Sequence, residues 1–191
     1  MVENDNQGGF TRTVVLPSPF DPFKIEHAAD VTLNPMDSTL DMTWNEKLFF
    51  RNGAIDTTET IVHQSYENGN KTTNFQISKA NGEHGEFTVV EKEAREEIDG
   101  YWVDEMGYYA TFTAFVYPDG SAELWLKVWE NEQSFINGDP PILEAYFFFN
   151  PDGSGYGNYT EDGVAYKIEF EAGGKVKVND PQGLSAEFSA Y

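Results

Sequence analysis

Turn signals recur along this chain every 8 to 14 residues, and between them apolar and polar side chains alternate. That combination leaves few folds open. Alternation at period two is the mark of a strand with one wet face, and segments this short leave little room for helices that could build a core. Leu40, Met42 and Trp44 alternate with Asp41 and Thr43; Val164, Tyr166, Ile168 and Phe170 alternate with Ala165, Lys167, Glu169 and Glu171. Asn52-Gly53, Asn68-Gly69 and Asn81-Gly82 punctuate the first half. In the second half, Pro118-Asp119-Gly120-Ser121 and Pro151-Asp152-Gly153-Ser154 each follow an aromatic run. Proline presets φ at the start of such a turn and glycine accepts the positive φ that follows. Short connections make sequential strands antiparallel neighbours, so the pattern predicts a meander.

The expected fold is all-β, with about a dozen strands and a single domain over residues 10–191 behind a disordered tether over 1–9. A meander this long must curl into a barrel or split into two packed sheets, and the barrel is the first expectation. Glu91 to Ile98 is the one stretch rich in helix formers, though it also suits a charged edge strand.

Thirty-three acids stand against 12 lysines and arginines, a net charge of −21. Such a surface repels phosphate backbones and anionic lipid, which argues against a nucleic-acid partner, and it favours a soluble monomer. The absence of cysteine excludes disulfides, thiolate metal sites and thiol nucleophiles. No segment approaches the roughly 20 apolar residues of a membrane helix. The polar start, Met1 to Gly9, fits either a cytosolic start or a tether behind a trimmed targeting segment; the second is the expectation, as in an exported protein that is extracellular or periplasmic.

Two groups of aromatic residues are candidate ligand contacts. Trp125 and Trp129 share the wetter face of one predicted strand, about 13 Å apart by strand rise, where they would stack on sugar rings or line a ligand mouth. Tyr101 and Tyr108 belong to a second group with Trp102 and Tyr109. For both groups, burial in a core is the alternative. The loop from Asn150 to Glu161 has the spacing of a calcium loop. Asn150, Asp152 and Ser154 stand at positions 1, 3 and 5, Gly155 at 6, Tyr156 at 7 with its carbonyl, and Glu161 at 12. Calcium is the only cofactor the sequence suggests, and an ordinary Gly-rich hairpin is the competing reading. His27, His63 and His84 fall in no metal-ligand spacing and read as surface or structural imidazoles. Carboxylate pairs such as Asp104/Glu105, Glu161/Asp162 and Glu169/Glu171 are too abundant to single out a hydrolase. No nucleophile elbow or phosphate loop occurs.

Gly100-Tyr101-Trp102, followed by strands joined through Asp-Gly turns, resembles the lipocalin-like small lipoproteins of bacterial surfaces over roughly residues 98–191. The resemblance implies an up-and-down barrel with Trp102 packed at its closed end, an exported and lipid-anchored setting, and an apolar ligand. It implies no catalytic residue. The expected function is therefore a non-catalytic exported β-domain that binds a small apolar ligand, a glycan or a partner protein. A carboxylate-dependent glycoside hydrolase and a calcium-stabilised adhesive module are the alternatives.

Overall fold

The computed structural model describes residues 7–19 and 21–189. It is all-β apart from one short helix. Fourteen strands hydrogen-bond in sequence order as one antiparallel meander. The order ends at β1 and β14, each with a single neighbour, so the sheet is not closed into a barrel. By its internal contacts the chain forms two compact units, one up to Thr88 and one from Val89. The division falls inside a strand, where no linker composition marks it.

The first unit holds β1 (Gln7–Val15), β2 (Lys24–Asn34), β3 (Thr39–Phe49), β4 (Ile55–Glu67), β5 (Asn70–Lys79) and most of β6 (His84–Glu91). Gln7 to Gly9, expected in the tether, begin β1 opposite Thr32, Val31 and Asp30. Residues 1–6 of that expected tether lie outside the described residues. Register puts Phe10, Ala29 and Trp44 side by side on one face, and Val62 and Phe75 pair on that face as well. The opposite face is polar, as with Thr43, Asn74 and Thr88. Phe10 and His27 both rest on Trp44, at 5.6 and 5.0 Å.

The second unit holds the end of β6, then β7 (Glu96–Val103), β8 (Tyr109–Val116), β9 (Ala122–Trp129), α1 (Glu132–Asn137), β10 (Leu143–Phe149), β11 (Gly155–Glu161), β12 (Val164–Glu171), β13 (Lys175–Asn179) and β14 (Ser185–Ser189). Directly opposed residues share a face, so the register sorts this unit into two surfaces. One carries Phe112, Leu126, Ala145, Gly157, Ile168 and Val178, and is apolar. The other carries Thr113, Trp125, Tyr146, Asn158, Lys167 and Asn179. Here the alternation seen in the sequence becomes two chemically different sides of a sheet.

The segment from Glu91 to Ile98 is a hairpin rather than a helix. β6 ends at Glu91, Lys92 N donates to Arg95 O at 3.0 Å, and β7 starts at Glu96. Eight residues hold too few intrahelical bonds to repay nucleation, and strand pairing on both sides offers more. The helix that does form, α1, was not expected. Asn131 caps it by accepting from Ser134 N, and Gly138 at φ 77° closes it through bonds to Phe135 O and Ser134 O.

Six of the described hairpins share one geometry, those at Asp104 and Asp180 and four built on Asn-Gly or Asp-Gly steps. Phe50, Lys79, Tyr117 and Asn150 each donate N–H to the carbonyl four residues on, and accept from a glycine three residues on, at 2.7–3.1 Å. Gly53, Gly82, Gly120 and Gly153 take φ between 80° and 96° there. This is the three-residue hairpin in which a type I turn ends in a left-handed residue. The Asn-Gly and Asp-Gly steps read from the sequence supply that residue.

Candidate functional site

The second unit brings aromatic side chains together in two places on its more polar face, and they differ in cover. The first is a cluster around Tyr109, which is 7% exposed, as is Trp129. Tyr101 stacks on Tyr109 at 5.5 Å, Trp129 lies 6.4 Å from Tyr109, and Phe135 from α1 stacks on Tyr109 at 4.9 Å and meets Trp129 edge-on at 5.0 Å. The Trp129 indole N–H donates to Asp139 O at 2.9 Å. Burial, then the charge of Glu132, pushes the Tyr109 phenol above its ordinary range. Trp129 and Tyr101, both sequence candidates for ligand contact, thus sit in a small structural cluster under α1. Tyr108 is exposed beside it, and its backbone N–H donates to Asp104 Oδ1 at 2.9 Å within the β7–β8 turn.

The second place is a row across β8, β9, β10 and β11. Phe115 meets Trp125 edge-on at 5.5 Å, Trp125 lies 5.0 Å from Tyr146, and Tyr156 lies 6.4 Å from Tyr146 and 5.5 Å from Phe148. Among the described residues, the ring contacts of α1 go to Tyr109 and Trp129 and not to this row. Trp125 is 36% and Tyr156 51% exposed, while Phe115, Tyr146 and Phe148 between them are half-buried. The row is edged by polar groups. Thr113 stands opposite Trp125 and Asn158 opposite Tyr146. Lys127 pairs with Glu144 at 3.0 Å. Arg95 lies 3.8 Å over the Phe115 ring and is held to Glu97 at 2.8 Å.

Of the candidate ligand residues, then, Trp125 and Tyr108 are exposed, and Trp125 alone is joined in a row by Phe115, Tyr146, Phe148 and Tyr156. Sequence reasoning did not place those four beside Trp125, because they come from three other strands, and it read Tyr156 only as a calcium-loop residue. Part of the signal was present: the Pro-Asp-Gly-Ser turns fix how β8 meets β9 and how β10 meets β11.

The calcium-loop residues do not converge. The Asp152 carboxylate accepts from Ser154 N at 2.9 Å and Ser154 Oγ at 2.6 Å, and Asn150 Nδ2 donates to Ser154 Oγ at 3.0 Å. Those bonds build the hairpin and hold the Asp152 carboxyl below the usual range. Tyr156 takes its place in the aromatic row. Glu161 ends β11 opposite Leu143, about 20 Å along the strand from Gly155 at the usual rise. Among the described residues no group of three or more acids or imidazoles is arranged to hold a metal ion.

The three imidazoles each have a local partner. His27 shares a 2.9 Å hydrogen bond with Glu46, His63 one of 2.6 Å with Asp41, and His84 one of 2.9 Å with Gly82 O. No described helix is long and apolar enough to cross a membrane. Comparison with known proteins gives no match to a protein-family model, a curated protein or a solved structure.

Proposed function

We propose that this chain is a non-catalytic binding domain whose aromatic row, centred on Trp125, stacks against the rings of a glycan. The observation that carries the reading is the row's exposure on the polar side of a sheet whose other side is apolar. A contiguous aromatic patch on a wet face is costly to keep in water and marks interaction surfaces. Aromatic faces meet the C–H faces of sugars, and the polar side chains of Thr113 and Asn158 beside the row are of the kind that bond sugar hydroxyls. The lipocalin-like resemblance around Gly100-Tyr101-Trp102 supports an exported, surface-anchored setting, where glycans are abundant. A glycan array probed with the wild type, Trp125→Ala and Tyr156→Ala tests it. Binding that both substitutions weaken is expected; binding that neither affects overturns the reading.

A second reading rests on the apolar face of β7–β14. If those eight strands curl into a lipocalin-like barrel, that face would hold a small apolar molecule. Native mass spectrometry of fresh protein checks this: a retained mass of a few hundred daltons supports it, and a bare chain counts against it.

A further inference from the structure

We propose that the apolar face of β7–β14 is the contact between two copies of this chain, packed sheet against sheet. Side chains alternate along a strand and directly opposed residues share a face, so the register defines that surface. One row across it is Ala114, Leu124, Phe147, Gly157, Ile168, Val178 and Ala186. The next holds Phe149, Phe170, Val176 and Phe188. Among the described apolar side chains of this face, Ala145 alone is buried. Leu124, Leu126, Phe147, Ile168, Phe170 and Val178 are half-buried, and Phe188 is 57% exposed. A second layer of structure over the face would bury such residues, as domain cores do.

The size and the charge of the face point to a copy of the same chain. Eight strands averaging about seven residues, at about 4.8 Å between strands and 3.3 Å per residue, make a face of about 900 Å². That exceeds the largest apolar patch of an ordinary monomer, about 300–600 Å², and matches the roughly 800 Å² per partner of a stable complex. In a chain with 33 acids, the charged side chains that the described strands put on this face are Glu96 and Glu161, and both stand at strand ends. An apolar centre with charge at the rim is the anatomy of a homodimer interface. A foreign protein would be selected by charges set against its own, and the centre of the face offers none. Anionic lipid is repelled by the net charge of −21. A second copy brings a face of equal size and the same chemistry, which a two-fold axis makes self-complementary. Trp125 alternates with Leu124 and Leu126 along β9, so such a dimer carries its two aromatic rows on its outer sides. The inference stands whether or not those rows bind a glycan.

Sedimentation equilibrium of the full chain, from about 1 to about 100 μM at low and raised salt, tests it. A species of twice the 21.5 kDa of one chain is expected, favoured by concentration and by salt that screens the two acidic copies from each other. Ile168→Glu should leave a monomer. Val178→Thr keeps the size and strand preference of the side chain. It should weaken association on the order of a hundredfold, because the symmetry sets two unpaired hydroxyls in the contact. Thr113→Glu, on the opposite face, should leave the dimer intact. A monomer at every concentration and salt overturns the inference. So does a dimer that Val178→Thr leaves unchanged, or a monomer whose native mass includes a retained apolar molecule. The mass of the wild type needs no variant, so a misfolded Ile168→Glu leaves the test standing.

Discussion

The ring of Phe147 on β10 lies over the backbone of Gly157 on β11. The two are cross-strand partners, and a Cβ added at Gly157 would sit 2.4 Å from Phe147 Cδ1 and 2.8 Å from Tyr146 O. The missing side chain lets Phe147 reach Phe170 on β12 at 5.9 Å, with Phe149 at 5.0 Å from the same ring. Gly155, opposite Phe149, serves the neighbouring position.

Gly157→Ala should therefore destabilise the second unit by about 1–3 kcal/mol, the usual cost of overpacking. Gly155→Ala should cost more, because its Cβ would meet Phe148 O at 2.0 Å and backbone cannot step aside. In a Phe147→Ala background the Gly157→Ala penalty should shrink. Denaturant unfolding of the four combinations measures this, and strict additivity would contradict the contact.

The two tryptophans of β9 should separate stability from binding. Trp129→Ala removes a ring that is 7% exposed and hydrogen-bonded to Asp139 O, so a loss of about 3–5 kcal/mol is expected. Trp125→Ala, at 36% exposure, should cost clearly less while reducing ligand affinity. Equal losses of stability would place Trp125 in a core.

The twin turns should respond to acid. Hydrogen bonds from the Ser121 and Ser154 hydroxyls, then from their backbone N–H groups, hold the Asp119 and Asp152 carboxyls below the usual range. A carboxyl depressed on folding stabilises above its unfolded pKa and loses that contribution as pH falls through its folded value. Amide exchange at Ser121 and Ser154 should therefore quicken below the ordinary aspartate range. Asp152→Asn keeps the acceptor oxygen and should remove the pH dependence at its turn.

Helix α1 should depend on its cap. Asn131→Ala frees Ser134 N and should cost about 1 kcal/mol. Because Phe135 covers Tyr109 and Trp129, fluorescence of Trp129 should shift with it. An unchanged spectrum would mean that the helix does not rely on this cap.

The all-β meander was legible because its turns carry their own chemistry: the same glycine geometry recurs at Gly53, Gly82, Gly120 and Gly153. Strand limits followed, as at Ile55, where β4 begins as expected. α1 was not legible, since six residues give no helical periodicity and only the Asn131 cap and Gly138 stop betray it. The boundary between the two compact units lies within β6, where no linker composition marks it. At the candidate site, Trp125 stood out by alternation on one strand. Its neighbours did not, because the join between β9 and β10 runs through α1 and leaves their register unset by any turn rule. The same nonlocal term separated Trp129 from Trp125, since its cover arrives from Phe135.

The most direct measurement is an NMR titration with a glycan that the array selects, following the indole N–H signals of the four tryptophans. The Trp125 signal should move with ligand, together with the ring signals of Tyr146 and Tyr156, while Trp129 under α1 stays in place. Movement centred on Trp129, or on residues of the apolar face such as Phe112 and Leu126, would contradict the aromatic-row account.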